Sequence, residues 1–261
     1  MKLKFILLFV LICVNSWLNT TTYYIKQDGT GDFTTIQEGI NAAATYYDTI
    51  LVYPGIYYEN VDFLGRSLTL ASLYLITPAD SLIDQTIIDG NQQFRCVTID
   101  GCEYGTLDGF TIQNGYGKGY GGGNWENGGA VRIEYGGVIR NCIIKNNSSA
   151  YCGGGVYLHH GGNVYNCTIV NNTALYQGGG IHCYDVAGGE VRNCIMYFNS
   201  AASNVNWGNN GHPIANCCTT PETAKPTAQN VYADPQFVSS TDYRLKNTSP
   251  CINVGYHYCP V

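Results

Sequence analysis

Short runs of alternating apolar and polar residues dominate the middle of the chain. Three runs share one phase: Val131-Arg132-Ile133-Glu134, Val156-Tyr157-Leu158-His159 and Ile181-His182-Cys183-Tyr184. Successive side chains of a β-strand point to opposite faces, so the pattern predicts strands with their aliphatic residues in a core. We therefore expect Arg132, Tyr157 and His182 to lie on a solvent-exposed outer face.

These runs belong to a repeat. Paired glycines precede each run at Gly128-Gly129, Gly153-Gly154 and Gly178-Gly179, a period of 25 residues. Asn-Cys pairs follow at Asn141-Cys142, Asn166-Cys167 and Asn193-Cys194, where the last interval is 27 residues because residues 185–187 carry an insertion. A short period with strand-like runs and glycine turns predicts an all-β solenoid of stacked coils.

Stacking a repeat places equivalent residues in columns. Cys142, Cys167 and Cys194 are expected in one buried column, with Phe110 at the same place in an earlier coil. Two asparagine columns are expected at turns, where side-chain amides can hydrogen-bond along the axis: Asn141, Asn166 and Asn193, and Asn147, Asn172 and Asn199. Near the end of the chain, Cys251 and Cys259 are a candidate disulfide.

The amino-terminal segment predicts export. Lys2 and Lys4 precede an apolar run over residues 5–14, which is too short to span a bilayer and resembles a secretory signal cleaved near Ser16. We divide the chain into a signal peptide (1–16), an N-terminal cap with the first coils (17–75), repeat coils (76–200), and a C-terminal coil and cap (201–261). Thr35 and Glu38 form a capping-box pattern that predicts a capping helix.

Composition narrows the functional classes. The chain has 32 glycines and 22 tyrosines, and its formal net charge is −6, which becomes more negative if Lys2 and Lys4 leave with the signal. We therefore expect no nucleic-acid partner, and no later segment suggests a membrane span. The oligomeric state is left open.

Two segments carry a family resemblance. Residues 28–37 (Asp-Gly-Thr-Gly-Asp-Phe-Thr-Thr-Ile-Gln) and 54–59 (Pro-Gly-Ile-Tyr-Tyr-Glu) resemble the opening of pectinesterase-like and pectate-lyase-like proteins. From residue 86 onward, the Gly-Gly coils are similar to right-handed β-helix repeats such as those of polymorphic outer-membrane adhesins. The resemblance implies a single-stranded right-handed parallel β-helix with an N-terminal capping helix. The pectinesterase motifs D-F-I-F-G and G-R-P-W do not occur, so esterase activity is not transferred.

The outward positions provide the candidate site. Their two columns are Thr98, Arg132, Tyr157, His182 and Asp100, Glu134, His159, Tyr184. The catalytic candidates are Asp100, Arg132, Glu134 and His159, which could exchange protons with a uronic acid. The carbohydrate-binding candidates are Trp125, Tyr157 and Tyr184, whose rings could stack on sugars, His182, which could hydrogen-bond hydroxyls, and Asp185, which could frame the face.

The resulting functional prediction is a secreted or cell-surface protein that binds polysaccharide or a surface glycan, or acts in adhesion, without catalysis. The alternatives are a polysaccharide lyase or glycoside hydrolase acting on acidic polysaccharide, and a structural spacer whose outer face is merely solvated. No metal site or cofactor is expected, and Ca²⁺ enters only if the chain is a lyase. Alternation sends the rings of His159 and His160 to opposite sides, so this pair is not expected to bind a metal.

Overall fold

The alternating runs form short parallel strands that stack into long sheets. The computed structural model describes residues 20–44, 47–118, 127–185, 189–209, 214–220 and 229–255. Within these ranges three long sheets and one short sheet run along the solenoid, each taking one strand from successive coils. The predicted signal peptide, Trp125 and Cys259 lie outside the described residues.

Every sheet pairs strands from neighbouring coils in parallel. The first long sheet contains β1 (Thr22–Ile25), β2 (Thr49–Val52), β5 (Thr69–Ser72), β8 (Thr106–Asp108), β12 (Val138–Arg140), β16 (Asn163–Tyr165), β20 (Val191–Arg192) and β23 (Ile214–Ala215). The second contains β3 (Gly55–Tyr57), β6 (Thr86–Asp89), β9 (Thr111–Gln113), β13 (Ile143–Lys145), β17 (Thr168–Val170) and β21 (Ile195–Tyr197).

The third long sheet carries the predicted site. It contains β4 (Val61–Asp62), β7 (Val97–Asp100), β11 (Val131–Glu134), β15 (Val156–His159), β19 (Ile181–Cys183) and β22 (Trp207–Asn209). The short sheet contains β10 (Tyr116–Gly117), β14 (Ser148–Ser149) and β18 (Thr173–Ala174). Among the described residues, no helix has the length and apolar character needed to cross a membrane.

The predicted register of the repeat is confirmed. Val131 pairs with Val156, which pairs with Ile181, and all three are buried in one core cluster. The cysteine column is also confirmed: Cys142, Cys167 and Cys194 are buried, with Phe110 in the preceding coil. Each of these thiols donates to the backbone carbonyl two residues earlier at 3.1 Å, and burial raises its pKa well above the ordinary value. These cysteines are therefore structural.

The predicted capping helix is α1 (Ile36–Ala42), which packs Ile36 and Ile40 into the core. The Thr35 hydroxyl accepts from the backbone N–H of Glu38 and donates to its carboxylate, so the two residues of the predicted capping box interact at the helix N-terminus. The Glu59 carboxylate accepts from the N–H groups of Ile36 and Gln37 at 2.9 and 3.0 Å. The segment 54–59 therefore anchors the helix N-terminus. Two further helices, the 3₁₀ helix Leu73–Leu75 and α2 (Asp80–Gln85), were not predicted.

The two asparagine columns do different structural work. Asn141, Asn166 and Asn193 have φ of 53–55°, a left-handed conformation that asparagine tolerates better than most residues. Asn172 belongs to the buried column: its Oδ1 accepts from the backbone N–H and the side-chain amide of Asn147, and its Nδ2 donates to Ile144 and Asn199. Both predicted columns are confirmed.

The C-terminal segment reaches back to the last coil. The thiols of Cys251 and Cys218 interact, which lowers the pKa of Cys251 to about 7 and raises that of Cys218. The expected partner of Cys251 was Cys259, which lies outside the described residues, so the disulfide between them stays a prediction.

Replacing Asn172 by Ala should destabilise the fold, because partners on both neighbouring coils lose their hydrogen bonds inside the core. The expected cost is about 1–3 kcal/mol for each buried group left without a partner. Chemical denaturation measures the loss, and Asn247→Ala, at an exposed turn, is the control. Equal stability of the two variants would mean that the ladder contributes nothing.

Candidate functional site

The outward positions of the third sheet form the expected columns. Arg132 pairs with Thr98 on one side and Tyr157 on the other, and Tyr157 pairs with His182. In the second column, Glu134 lies between Asp100 and His159. All four catalytic candidates therefore lie on adjacent coils.

The expectation that this face is open to solvent is wrong for most of its residues. Arg132, Tyr157 and His182 are 2%, 1% and 4% exposed, and His159 is buried too. The glycine turns before each strand explain much of this burial. A Cβ added to Gly178 would lie 2.8 Å from that of His182, and one on Gly128 would lie 3.2 Å from that of Tyr157.

These turns require glycine for a second reason. Gly128 and Gly178 have φ of 74° and 63°, which most side chains rarely adopt. The Gly-Gly signature was correctly assigned to turns, but its effect on the outer face was missed. Backbone without side chains passes close enough to the neighbouring strands to cover their outward residues.

A charge cluster occupies one end of this face. The Arg132 guanidinium forms ion pairs with both Asp100 and Glu134, and Nδ1 of His159 lies 3.1 Å from Oε1 of Glu134. The pKa of Asp100 is raised to about 6, mainly by burial; the positive charge of Arg132 opposes the rise and the carboxylate of Glu134 adds to it. Arg132 is enclosed between carboxylates, so it balances their charge and is not placed to contact a substrate.

Stacked rings occupy the middle of the face. The rings of Tyr157 and His182 are nearly parallel, with centroids 5.6 Å apart. The Tyr157 hydroxyl and Nδ1 of His182 are buried without a hydrogen-bond partner among the described residues. Burial lowers the pKa of His182 to about 4, so its imidazole is neutral at physiological pH. Buried polar atoms without partners are uncommon and costly.

These rings line a cavity of about 250 Å³. Its described walls are Asn127, Tyr151, Cys152, Tyr157, Tyr176, Gln177, His182 and Tyr184. Tyr151 and Tyr176 lie at its rim, 44% and 50% exposed, with ring centroids 4.8 Å apart. Sequence reasoning missed this pair, although its spacing of 25 residues, the period of the repeat, could have indicated a column.

The outcome for the remaining candidates is mixed. Tyr184 is 47% exposed and belongs to the cavity wall, as a carbohydrate-binding residue should. Asp185 is not among the described cavity residues; its carboxylate binds the backbone N–H and Nδ1 of His160. Trp125 lies outside the described residues, so its role stays a prediction.

The expectation that His159 and His160 diverge is wrong. Their rings stack with centroids 3.8 Å apart. His160 follows the end of β15 and has φ of 55°, so strand alternation no longer applies to it. The ring of Tyr135, from the preceding coil, stacks on His160.

Comparison with protein-family models finds no match, and comparison with curated proteins finds none either. Among solved structures, the chain is similar to a pectin methylesterase from carrot, with 16% identity, 77% of this chain covered and a TM-score of 0.46. The chain spans 63% of the carrot protein's chain.

A pectin methylesterase from Aspergillus niger, in penultimately deglycosylated form, shares 15% identity over 82% of this chain and 83% of its own, with a TM-score of 0.35. The deglycosylated form of the same esterase shares 14% identity over 76% of this chain and 83% of its own, with a TM-score of 0.28. The stacked parallel sheets of short strands make this chain a parallel β-helix.

Proposed function

We propose that this protein is an extracellular β-helix that binds a neutral glycan, without catalysis, in the cavity beside Tyr157 and His182. The observation that carries the proposal concerns two residues of the cavity wall, Tyr157 and His182, whose hydroxyl and Nδ1 are buried without a hydrogen-bond partner among the described residues. A sugar hydroxyl can donate one hydrogen bond and accept another. One bound hydroxyl can therefore be the missing partner of both the Tyr157 hydroxyl and Nδ1 of His182.

The rim adds the contacts that sugars use. Tyr151, Tyr176 and Tyr184 present partly exposed rings, and such amphipathic rings pack on sugar faces while their hydroxyls hydrogen-bond. The exposed side-chain amide of Gln177 supplies both a donor and an acceptor. A volume of about 250 Å³ lies just below the range typical of drug-sized ligands, about 300–1,000 Å³, and suits a single sugar unit.

The charges favour a neutral sugar. The described residues that line the cavity include no Asp, Glu, Lys or Arg, and His182 is neutral because burial lowers its pKa to about 4. A uronate carboxylate would enter without a cation to pair with, and burial of an unpaired charge is expensive. The cavity is therefore suited to neutral, hydroxyl-bearing sugar units and not to the acidic polysaccharide of the sequence-based alternative.

A larger depression, of about 1030 Å³, lies between α2 and the C-terminal segment. Two of its polar groups already have partners: Arg244 forms an ion pair with Asp242, and the Tyr243 hydroxyl accepts from Asn171. We therefore favour the smaller cavity, where partners are missing, over the larger one.

Replacing Tyr157 by Phe should stabilise the free protein and weaken glycan binding. The change removes a buried hydroxyl without a partner, which costs about 1–3 kcal/mol, and removes the contact that we assign to the sugar. Thermal unfolding and calorimetric titration with neutral oligosaccharides measure the two effects. Tyr57→Phe is the matched control, because the hydroxyl of the equally buried Tyr57 donates to Tyr53 at 2.9 Å. That variant should lose stability and keep its affinity.

Replacing Tyr176 by Ala should weaken binding about tenfold, the equivalent of about 1.4 kcal/mol for a lost ring contact. The titrations use neutral gluco-, manno-, xylo- and galacto-oligosaccharides beside oligogalacturonate. Tyr58→Ala, at an exposed ring outside the cavity, should match the parent. Binding of oligogalacturonate alone would contradict the proposed neutral specificity, and failure of the whole panel would leave the structural spacer as the better function.

A second candidate function rests on Asp100. A carboxyl with a pKa near 6, beside Glu134 and an arginine, resembles the acid–base groups of glycan-cleaving enzymes. One oxygen of Asp100 is buried without a partner among the described residues. A hydrolase or lyase would release reducing ends or unsaturated products from the oligosaccharides above, and Asp100→Asn would abolish that release.

The pKa of Asp100 also predicts a dependence of stability on pH. Because the folded pKa, about 6, lies above the ordinary 3.8, the folded state binds a proton more tightly than the unfolded state. The stability of the parent relative to Asp100→Asn should therefore rise as pH falls from about 6 to 4. Urea denaturation at several pH values measures the difference, and a flat difference would show that Asp100 has an ordinary pKa.

A further inference from the structure

A second cluster lies at the end of the third sheet, outside the cavity wall. Glu134, His159 and His160 each place one potential ligand atom within 4.8 Å of the others. The 25-residue period puts Glu134 beside His159 in the next coil. The left-handed backbone of His160 turns its ring onto that of His159. Three metal-binding side chains thus converge although only two are neighbours in sequence.

The spacing of the donor atoms suits one small ion. Two atoms bound to the same tetrahedral zinc ion, at bond lengths near 2.0–2.1 Å, lie about 3.3 Å apart. Nδ1 of His159 and Oε1 of Glu134 are 3.1 Å apart. Only the ring of His160 has to move to bring its nitrogen to the same ion. This ring is on the solvent side of the stack, and the side chain is 38% exposed.

Outer hydrogen bonds hold two of these side chains in orientation. Arg132 binds Oε2 of Glu134, which leaves Oε1 facing the imidazoles. The Asp185 carboxylate lies 2.6 Å from Nδ1 of His160 and also accepts from its backbone N–H. A carboxylate on one imidazole nitrogen keeps a proton there and leaves Nε2 as a ligand, an arrangement that recurs around protein-bound metals.

We propose that Glu134, His159 and His160 bind a divalent transition-metal ion of the zinc class, with Asp185 and Arg132 as positioning residues. Two imidazoles and one carboxylate form a three-ligand set that leaves a fourth position for water. Ca²⁺ and Mg²⁺ prefer oxygen ligands, so they are excluded by the two nitrogens. This proposal goes beyond glycan binding and stands without it, because the metal is assayed with no sugar present.

The test uses untagged full-length protein, treated with a chelator and titrated with Co²⁺ while visible absorption is recorded. The expected result is one Co²⁺ per chain with the intense visible bands of a tetrahedral site, displaced by Zn²⁺ and not by Ca²⁺. A sulfur-to-cobalt charge-transfer band would place the ion on cysteines and overturn the proposal. Failure of the folded parent protein to bind Co²⁺ would overturn it as well.

Substitutions then locate the ion. His160→Asn keeps a residue that tolerates positive φ and should abolish tetrahedral Co²⁺ binding, while circular dichroism shows that the coils persist. Asp185→Asn should weaken binding about 10–100-fold, the effect typical of losing an outer hydrogen-bond partner. His257→Asn, at a histidine outside the described residues, is the control. Binding that survives in His160→Asn, or is lost equally in His257→Asn, would refute the assignment.

Discussion

The parallel hydrogen-bond register between coils is the constraint on which the rest of the structure depends. Each strand pairs with the equivalent strand of the next coil, so a residue 25 positions away lies directly beside its counterpart. Adjacent strands are about 4.8 Å apart, and one residue type repeated at a position therefore becomes a column in contact. In the core, such columns favour aliphatic side chains, thiols that donate to a nearby carbonyl, and amides that hydrogen-bond to one another.

Outside, the same register creates a different problem. Like charges repeated at 4.8 Å would repel, and long polar side chains have little room between coils. The chain varies its residues there instead: Arg132 lies between carboxylates from two coils, and Tyr157 stacks on His182. The ion pairs balance the charges of Arg132 and the carboxylates, although one oxygen of Asp100 keeps no partner, whereas the uncharged stacked rings leave a hydroxyl and a ring nitrogen without partners among the described residues. That difference separates the structural part of the face from the part suited to a ligand.

The sequence predicted whatever follows from periodicity. The register, the inward residues, the capping box at Thr35 and the asparagine columns depend on spacing and on local backbone preference, both visible in the residues themselves. Burial of Arg132 was not predictable in this way, because it depends on side chains from neighbouring coils, such as Asp100. The ring of His160 was misplaced because its left-handed backbone ends the alternation, and histidine at such a position gives a weaker signal than asparagine does.

Tyr184 joins the two proposed sites physically. Its ring lines the cavity, and it also packs edge-on against His159, with centroids 4.9 Å apart. A ligand that holds Tyr184 in place removes freedom from the ring that covers His159, and an ion that fixes His159 does the same for Tyr184. Two ligands that order the same side chain assist each other, since the second pays less of the ordering entropy. If both sites bind as proposed, Tyr184 is the side chain that they share, and coupling through it would change the two affinities by the same factor.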